Sequence, residues 1–137
     1  MQTAVPTIEI DGATFSTLEE FFQHFSERAL DGKPWGRNLD AFNDVLRGGF
    51  GTPEGGFRLI WRNHTVSRER LGHPETVLQL RKRLMKCHPD NRSYVQSDLD
   101  QALRGQGPTV FDWLLEIIAV HGRGGAEAED HVELVLE

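Results

Sequence analysis

Phe57-Arg58-Leu59-Ile60-Trp61 is a run of aromatic and branched residues with little polarity, and it predicts a strand in the middle of the chain. Before it lies Phe50-Gly51-Thr52-Pro53-Glu54-Gly55-Gly56, whose glycines invite a phosphate-cradle reading. It has neither the Gly-x-Gly-x-x-Gly spacing nor a Gly-Lys-Ser/Thr ending, so a plain connection is the better reading. Further back, Lys33 to Gly48 reads as a loop feeding a short helix. Asn38 is a good N-cap, Gly48 and Gly49 supply a C-cap, and Leu39, Phe42, Val45 and Leu46 recur at i, i+3, i+6 and i+7. At about 100° per residue, Asp40 and Asp44 then fall together on roughly the opposite side, one turn apart and toward solvent. Two like charges at i, i+4 cost an isolated helix a few tenths of a kcal/mol, and only Asp40 recovers part of that from the helix dipole. The segment therefore presents negative charge outward.

On the N-terminal side, Thr7-Ile8-Glu9-Ile10 alternates and is closed by Asp11-Gly12, which predicts a strand ending in a tight turn. Phe15 follows as an apolar anchor. Ser16 or Thr17 caps a helix with Glu19 and Glu20 in its first turn and an apolar stripe of Leu18, Phe21, Phe22, Phe25 and Ala29, ending near Asp31-Gly32. At helical spacing this stripe reads as core rather than a ligand pocket.

On the C-terminal side, Arg62-Asn63-His64-Thr65 turns the chain, and Thr65 or Ser67 starts a short helix running to Leu71-Gly72. Pro74 opens a helix with Val77, Leu78, Leu80, Leu84 and Met85 as its apolar positions and Arg81, Lys82, Arg83 and Lys86 on its other face. It stops around Cys87-His88-Pro89. Asp90 or Asn91 caps a further helix, Ser93 to Leu103, with Tyr94, Val95, Leu99 and Leu103 apolar. Residues 73–108 thus form a helical pair bounded by breakers, expected to be an insertion or a small lid. Thr109 caps the strongest helix: Val110, Phe111, Trp113, Leu114, Leu115, Ile117, Ile118 and Val120, with only Asp112 and Glu116 charged. Apolar nearly all round, it should be covered by the sheet on one side and the inserted pair on another. Gly122 to Asp130 is a loop, and His131 to Leu136 alternates as a closing strand.

Helices between successive strands imply parallel pairing with right-handed crossovers. The expected fold class is α/β, a two-layer domain with a three-stranded parallel sheet, helical crossovers and an inserted helical pair, spanning 1–137 as a single domain.

The 137 residues are 38% hydrophobic, enough to bury a core without staples. Cys87 is the single cysteine, so no disulfide can form within the chain, which favours a reducing compartment, and the cytoplasm is inferred. Met1 to Pro6 lacks the pattern of an export signal, and no run approaches the roughly 20 apolar residues of a membrane span. The net charge of −6 is unevenly placed: Phe57 to Gly105 carries +5 and the remainder −11. An acidic chain repels phosphate and attracts a basic protein, so no direct nucleic-acid binding is expected. The basic run Arg81-Lys82-Arg83 with Lys86 has little aromatic interleaving and reads as a solvated face or one paired with the acidic remainder.

No catalytic or metal signature emerges. Cys87-His88 with His73 lacks Cys-x-x-Cys or His-x-x-x-His spacing and reads as an ordinary helix end. Asp40, Asp44 and Glu116 would serve a hydrolase only in a walled cleft that perturbs a carboxylate, and they are expected on helix surfaces. No cofactor fingerprint is present, and neither cofactor nor metal is expected.

The chain resembles the barstar family of intracellular ribonuclease inhibitors. The resemblance lies in Ile8 to Phe25, in Trp35-Gly36-Arg37-Asn38-Leu39-Asp40-Ala41-Phe42-Asn43-Asp44-Val45-Leu46, in Leu59-Ile60-Trp61-Arg62, and in Thr109 to Ala119 with His131 to Leu136. It implies no enzyme but a plug that fills a ribonuclease active site, its carboxylates standing where RNA phosphates would. By position the partner-binding residues would be Trp35, Gly36, Asn38, Asp40, Asp44 and Glu116. The implied partner is a basic, extracellular-type, barnase-like ribonuclease, and the free protein is expected to be a monomer. The chain departs from the family pattern at Pro34 and Asn43, where aromatics are usual, at Val120, where an acid is usual, and in the length of the helical pair. The alternative function is a non-inhibitory interaction or regulatory module on the same fold, docking through the basic inserted helices.

Overall fold

The computed structural model describes residues 5–48, 51–53 and 55–137. Along the chain these form β1 (Thr7–Asp11), α1 (Leu18–Ala29), α2 (Leu39–Val45), β2 (Phe57–Arg62), α3 (His64–Arg70), α4 (His73–Lys86), α5 (Arg92–Leu103), α6 (Val110–Val120) and β3 (Val132–Leu136), with 3-10 turns at Gly12–Thr14, Pro89–Asn91 and Ala128–Asp130. The strands lie in the order β1-β2-β3, both pairs parallel, with Ile8 opposite Leu59 and Leu59 opposite Leu134. The expected α/β class and three-stranded parallel sheet are what the chain adopts.

The side-chain period of two sorts the sheet. Ile8, Ile10, Phe57, Leu59, Trp61 and Val132 are buried under the helices. The opposite face carries charges that pair across strands: Arg62 reaches Glu9 at 3.0 Å and Glu137 at 3.5 Å, and Arg58 reaches Glu133 at 3.0 Å. Arg62's hydrogen bonds and charge hold the Glu9 carboxyl below its usual range. Parallel sheets are normally covered on both faces; here the paired charges occupy the second.

Between sheet and helices lies an aromatic core. Trp61 stacks on Phe21 (5.4 Å, 24°), meets Phe111 edge-on at 5.3 Å, and donates its indole N–H to Ser67 Oγ at 3.0 Å. As expected, α6 is covered on two sides. Phe111 and Leu114 enter this core, while Trp113 packs on a second, smaller cluster of Leu80, Val95, Leu99 and Ala102 within the α4–α5 hairpin.

That hairpin corrects four sequence expectations. Leu78, Met85, Tyr94 and Leu103 were expected on apolar faces, but are 52%, 84%, 73% and 55% exposed. Two antiparallel helices share one narrow seam. On α4 it is filled by Val77, Leu80 and Leu84, and on α5 by Val95, Leu99 and Ala102, which leaves the residues about 100° to either side in solvent. Boundaries also moved. α3 starts at His64 because Asn63 adopts the left-handed conformation (φ 54°), and no side chain of Asp90 or Asn91 caps α5.

The first turn of α4 is a cap for two other helices. Thr17 Oγ1 accepts from Glu20 N, as expected, but Leu18 N donates to Glu75 Oε2 at 2.8 Å, and Val110 N donates to Thr76 Oγ1 at 2.9 Å. Both acceptors are buried. Removing one leaves a helix-start N–H without a partner, which costs about 1–3 kcal/mol. Glu75→Ala is therefore expected to lower the unfolding free energy by that much, with a correspondingly lower urea midpoint, and Glu75→Gln, which keeps a carbonyl acceptor, to recover most of it. Equal midpoints for the alanine variant and the native chain would contradict the assignment.

At the end of β1, Asp11 N donates to His24 Nε2 at 3.0 Å, and His24 Nδ1 faces Thr14 Oγ1 at 3.3 Å. Nε2 thus accepts a bond in the neutral ring. Burial, aided by the Arg28 charge, pushes this histidine below its ordinary value of 6.5. The unfolded chain therefore takes up the proton first, and the contribution to stability, full at neutral pH, is lost as pH falls below that value. We expect His24→Gln to flatten the fall in urea midpoint between about pH 7 and pH 5. A native-minus-variant difference that does not change with pH would contradict it.

Candidate functional site

α2 and the loop before it are pinned from below. Trp35 meets Phe22 edge-on at 5.5 Å, tilts against Phe25 at 6.2 Å and donates its indole N–H to Ser26 Oγ, so the loop is tied to α1. A Cβ on Gly36 would stand 2.8 Å from Ala41 Cβ, so the loop closes on the helix only with glycine there. Asn38 caps as the sequence predicts: its Oδ1 accepts from Ala41 N at 2.8 Å. Phe42, Val45 and Leu46 are buried, with Phe42 edge-on to Phe21 and Phe25. The helix closes at Leu46, Gly48 N donates to Val45 O, and Gly48 takes φ +91°. Gly49, the other expected cap, lies outside the described residues.

With one face locked, the other is fixed too. Asp40 and Asp44 are both exposed, the Asp44 side chain at 70%. Trp35, Gly36, Ala41, Asp44 and Val45 line a hollow of about 290 Å³ that is mostly apolar. Such a slot suits a flat or long cationic side chain, whose stem takes the apolar wall and whose charge meets the Asp44 carboxylate.

Of the residues singled out from sequence, Trp35, Gly36 and Asp44 share this hollow, Asn38 starts the helix, and Asp40 shares the outer face of α2 with Asp44. Glu116 is exposed on α6, which packs beside α2. Among the described residues no hydrogen bond or ion pair joins Glu116 to either aspartate.

Four side chains beside α2 escaped the sequence reading: Arg47, His121, Glu127 and Asp130. Arg47 lies 3.9 Å from Asp44 and 3.0 Å from Glu127. His121, fully buried, places Nδ1 2.6 Å from Asp130 Oδ2 and 3.3 Å from Glu127 Oε2. Its Nε2 lies 2.7 Å from Asn43 Oδ1 on α2. His121 and Asn43 are 78 positions apart, so no local periodicity links them. An asparagine at position 43, where the family pattern has an aromatic, was the one available signal. The metal-ligating atoms of His121, Glu127 and Asp130 lie within 4.8 Å of one another. The 2.6 Å separation is nevertheless a hydrogen-bond distance, shorter than the roughly 3.4 Å that two ligands of a tetrahedral zinc keep. Cys87, His88 and His73 behave as helix-end groups, with Cys87 Sγ on Leu84 O, His88 accepting from Asp90 N, and His73 on Gly107 O.

No helix among the described residues is long and apolar enough to cross a membrane. No curated protein matches the chain. A family model described as Barstar (barnase inhibitor) matches residues 5–93, well over half of the chain. The match includes the whole loop and α2 and ends at the start of α5, so α6 with Glu116 lies outside it. With the parallel three-stranded sheet and the acidic outer face of α2, it places the chain in the barstar family, whose members are inhibitors of barnase-like ribonucleases rather than enzymes.

Proposed function

We propose that this chain inhibits a basic, extracellular-type ribonuclease of the barnase kind, entering its active site with the Trp35–Asp44 loop and helix so that carboxylates take the places of RNA phosphates. The observation that carries the reading is the outward pair Asp40 and Asp44 on a helix whose inner face is locked into the core. Trp35 and Gly36 shape the hollow beside Asp44, Asn38 fixes the helix start, and Glu116 adds a carboxylate from α6. The partner's own Arg, Lys and His groups supply the opposite charge, and no cofactor, metal or direct contact with nucleic acid is involved. The −11 balance outside residues 57–105 steers a basic partner, a behaviour for which barnase and barstar are themselves a standard example. On this reading the protein acts in the cytoplasm, is a monomer when free, and is one domain over 1–137 with residues 73–108 as its inserted hairpin.

Docking through the basic hairpin is less well supported. Lys82 is bound to Glu19 at 2.6 Å, and Arg83 lies 5.0 Å over the Trp113 ring, so two of the four cations on α4 serve the fold. The test is a titration of ribonuclease activity with the purified protein, using barnase and any small basic nuclease encoded beside this gene. Stoichiometric inhibition is expected. Full nuclease activity at micromolar protein with every such enzyme would overturn the reading.

A further inference from the structure

We infer that His121 is a positioning residue for the recognition helix, acting through Asn43; the inference builds on the inhibitor reading. α2 has only seven residues. A helix of two turns is not stable alone, and tertiary contacts must set both its depth and its rotation. Phe42, Val45 and Leu46 set depth through apolar packing, which has no direction. A hydrogen bond has direction, and Asn43 makes one from the residue next to Asp44. Its Oδ1 lies 2.7 Å from Nε2 of His121, whose ring is wholly buried.

The ring itself is held on every side. Its Nδ1 is engaged by Asp130 at 2.6 Å, with Glu127 Oε2 at 3.3 Å. The His121 carbonyl accepts from Val132 N at 3.0 Å, at the first residue of β3, and Glu127 N donates to Val120 O at 2.9 Å. Arg47 adds a second tie from α2 to the same segment, reaching Glu127 at 3.0 Å. Asn43 and Arg47 flank Asp44 on either side in sequence, and both run to residues 121–130. The direction of the Asp44 carboxylate is thereby referred to the α6–β3 connection as well as to α1 and the core.

The test uses Asn43→Leu, which removes the bond at similar size, Asn43→Ala as a milder second variant, and Asn43→Asp, which keeps an oxygen toward His121. In the free proteins, amide hydrogen exchange is followed across α1, α2 and β2. Leu and Ala are expected to lose protection in α2 by about tenfold, the equivalent of one ordinary buried hydrogen bond, with α1 and β2 little changed. Nuclease complexes of these variants should dissociate faster by a similar factor with nearly unchanged association rates, and Asn43→Asp should restore both. Unchanged protection in α2, or a uniform loss through α1, α2 and β2, overturns the inference. A native protein that inhibits no nuclease overturns the inhibitor reading instead, and the exchange data still decide whether the histidine holds the helix.

Discussion

Asp44→Ala should weaken the complex with its ribonuclease by at least about 2 kcal/mol, a magnitude for which the barnase–barstar pair is itself a leading example. In the free protein this carboxylate is exposed beside the Trp35 hollow, with Arg47 3.9 Å away. It is thus largely hydrated until a partner covers it. Docking would strip that water and put cations in its place, and alanine would then leave those cations buried without a counter-charge. The variant should cost the free protein little, because Asp44 buries little area and its removal relieves repulsion from Asp40 one turn away. A large loss of affinity with an unchanged urea midpoint is therefore the signature. Asp40→Ala should lose less affinity and also some helix stability, because Asp40 sits in the first turn, where a negative charge favours the helix. Calorimetric titration of the native and variant proteins at fixed salt measures both. If Asp44→Ala binds within about 0.5 kcal/mol of the native chain, below the range expected of a central anchor, the plug model fails.

Trp61→Ala should cost about 3–5 kcal/mol of folding stability. Typical domains have only about 5–15 kcal/mol in total, so the variant is expected to melt far lower or not to fold. Trp61 sits on the central strand, fully buried, stacked on Phe21, edge-on to Phe111 and within 6.1 Å of Phe15. Alanine would open a cavity where α1, α6 and the sheet meet, and those rigid rings cannot collapse into it. Trp61→Phe keeps an aromatic ring but loses the donor to Ser67 Oγ, itself buried, and should lose less. Urea unfolding of the three proteins gives the order. A loss under about 1 kcal/mol for the alanine variant would mean that the core repacks far more freely than interiors of normal density do.

The elements that sequence revealed most clearly are those whose causes are local. Asn38, Thr17 and Thr109 cap helices through side chains three positions from their donors, so spacing alone exposes them. The strand Phe57–Trp61 and the outward pair Asp40 and Asp44 follow from periods of 2 and 3.6. What failed or stayed hidden depended on distant partners. Met85 and Tyr94 read as apolar positions because nothing in a helix reveals how wide its buried seam is. Glu75 and Thr76 looked like an ordinary first turn, yet their acceptors serve helix starts 57 and 34 positions away. The hydrogen bond from His121 to Asn43 spans more than half the chain. Asp40 and Asp44 were legible as a charged face from spacing, but the role proposed for them came only from the resemblance to the family.

The caps supplied by Glu75 and Thr76 bear on whether the hairpin can be dispensed with. A segment added to a complete domain should lift out at its ends, leaving the host closed. Cutting this one at residue 73 would instead strip the starts of α1 and α6 of their acceptors, while cutting beyond Gln79 would spare them. The first turn of α4 thus belongs to the host's framework, and a shortened hairpin that keeps that turn leaves both helix starts capped.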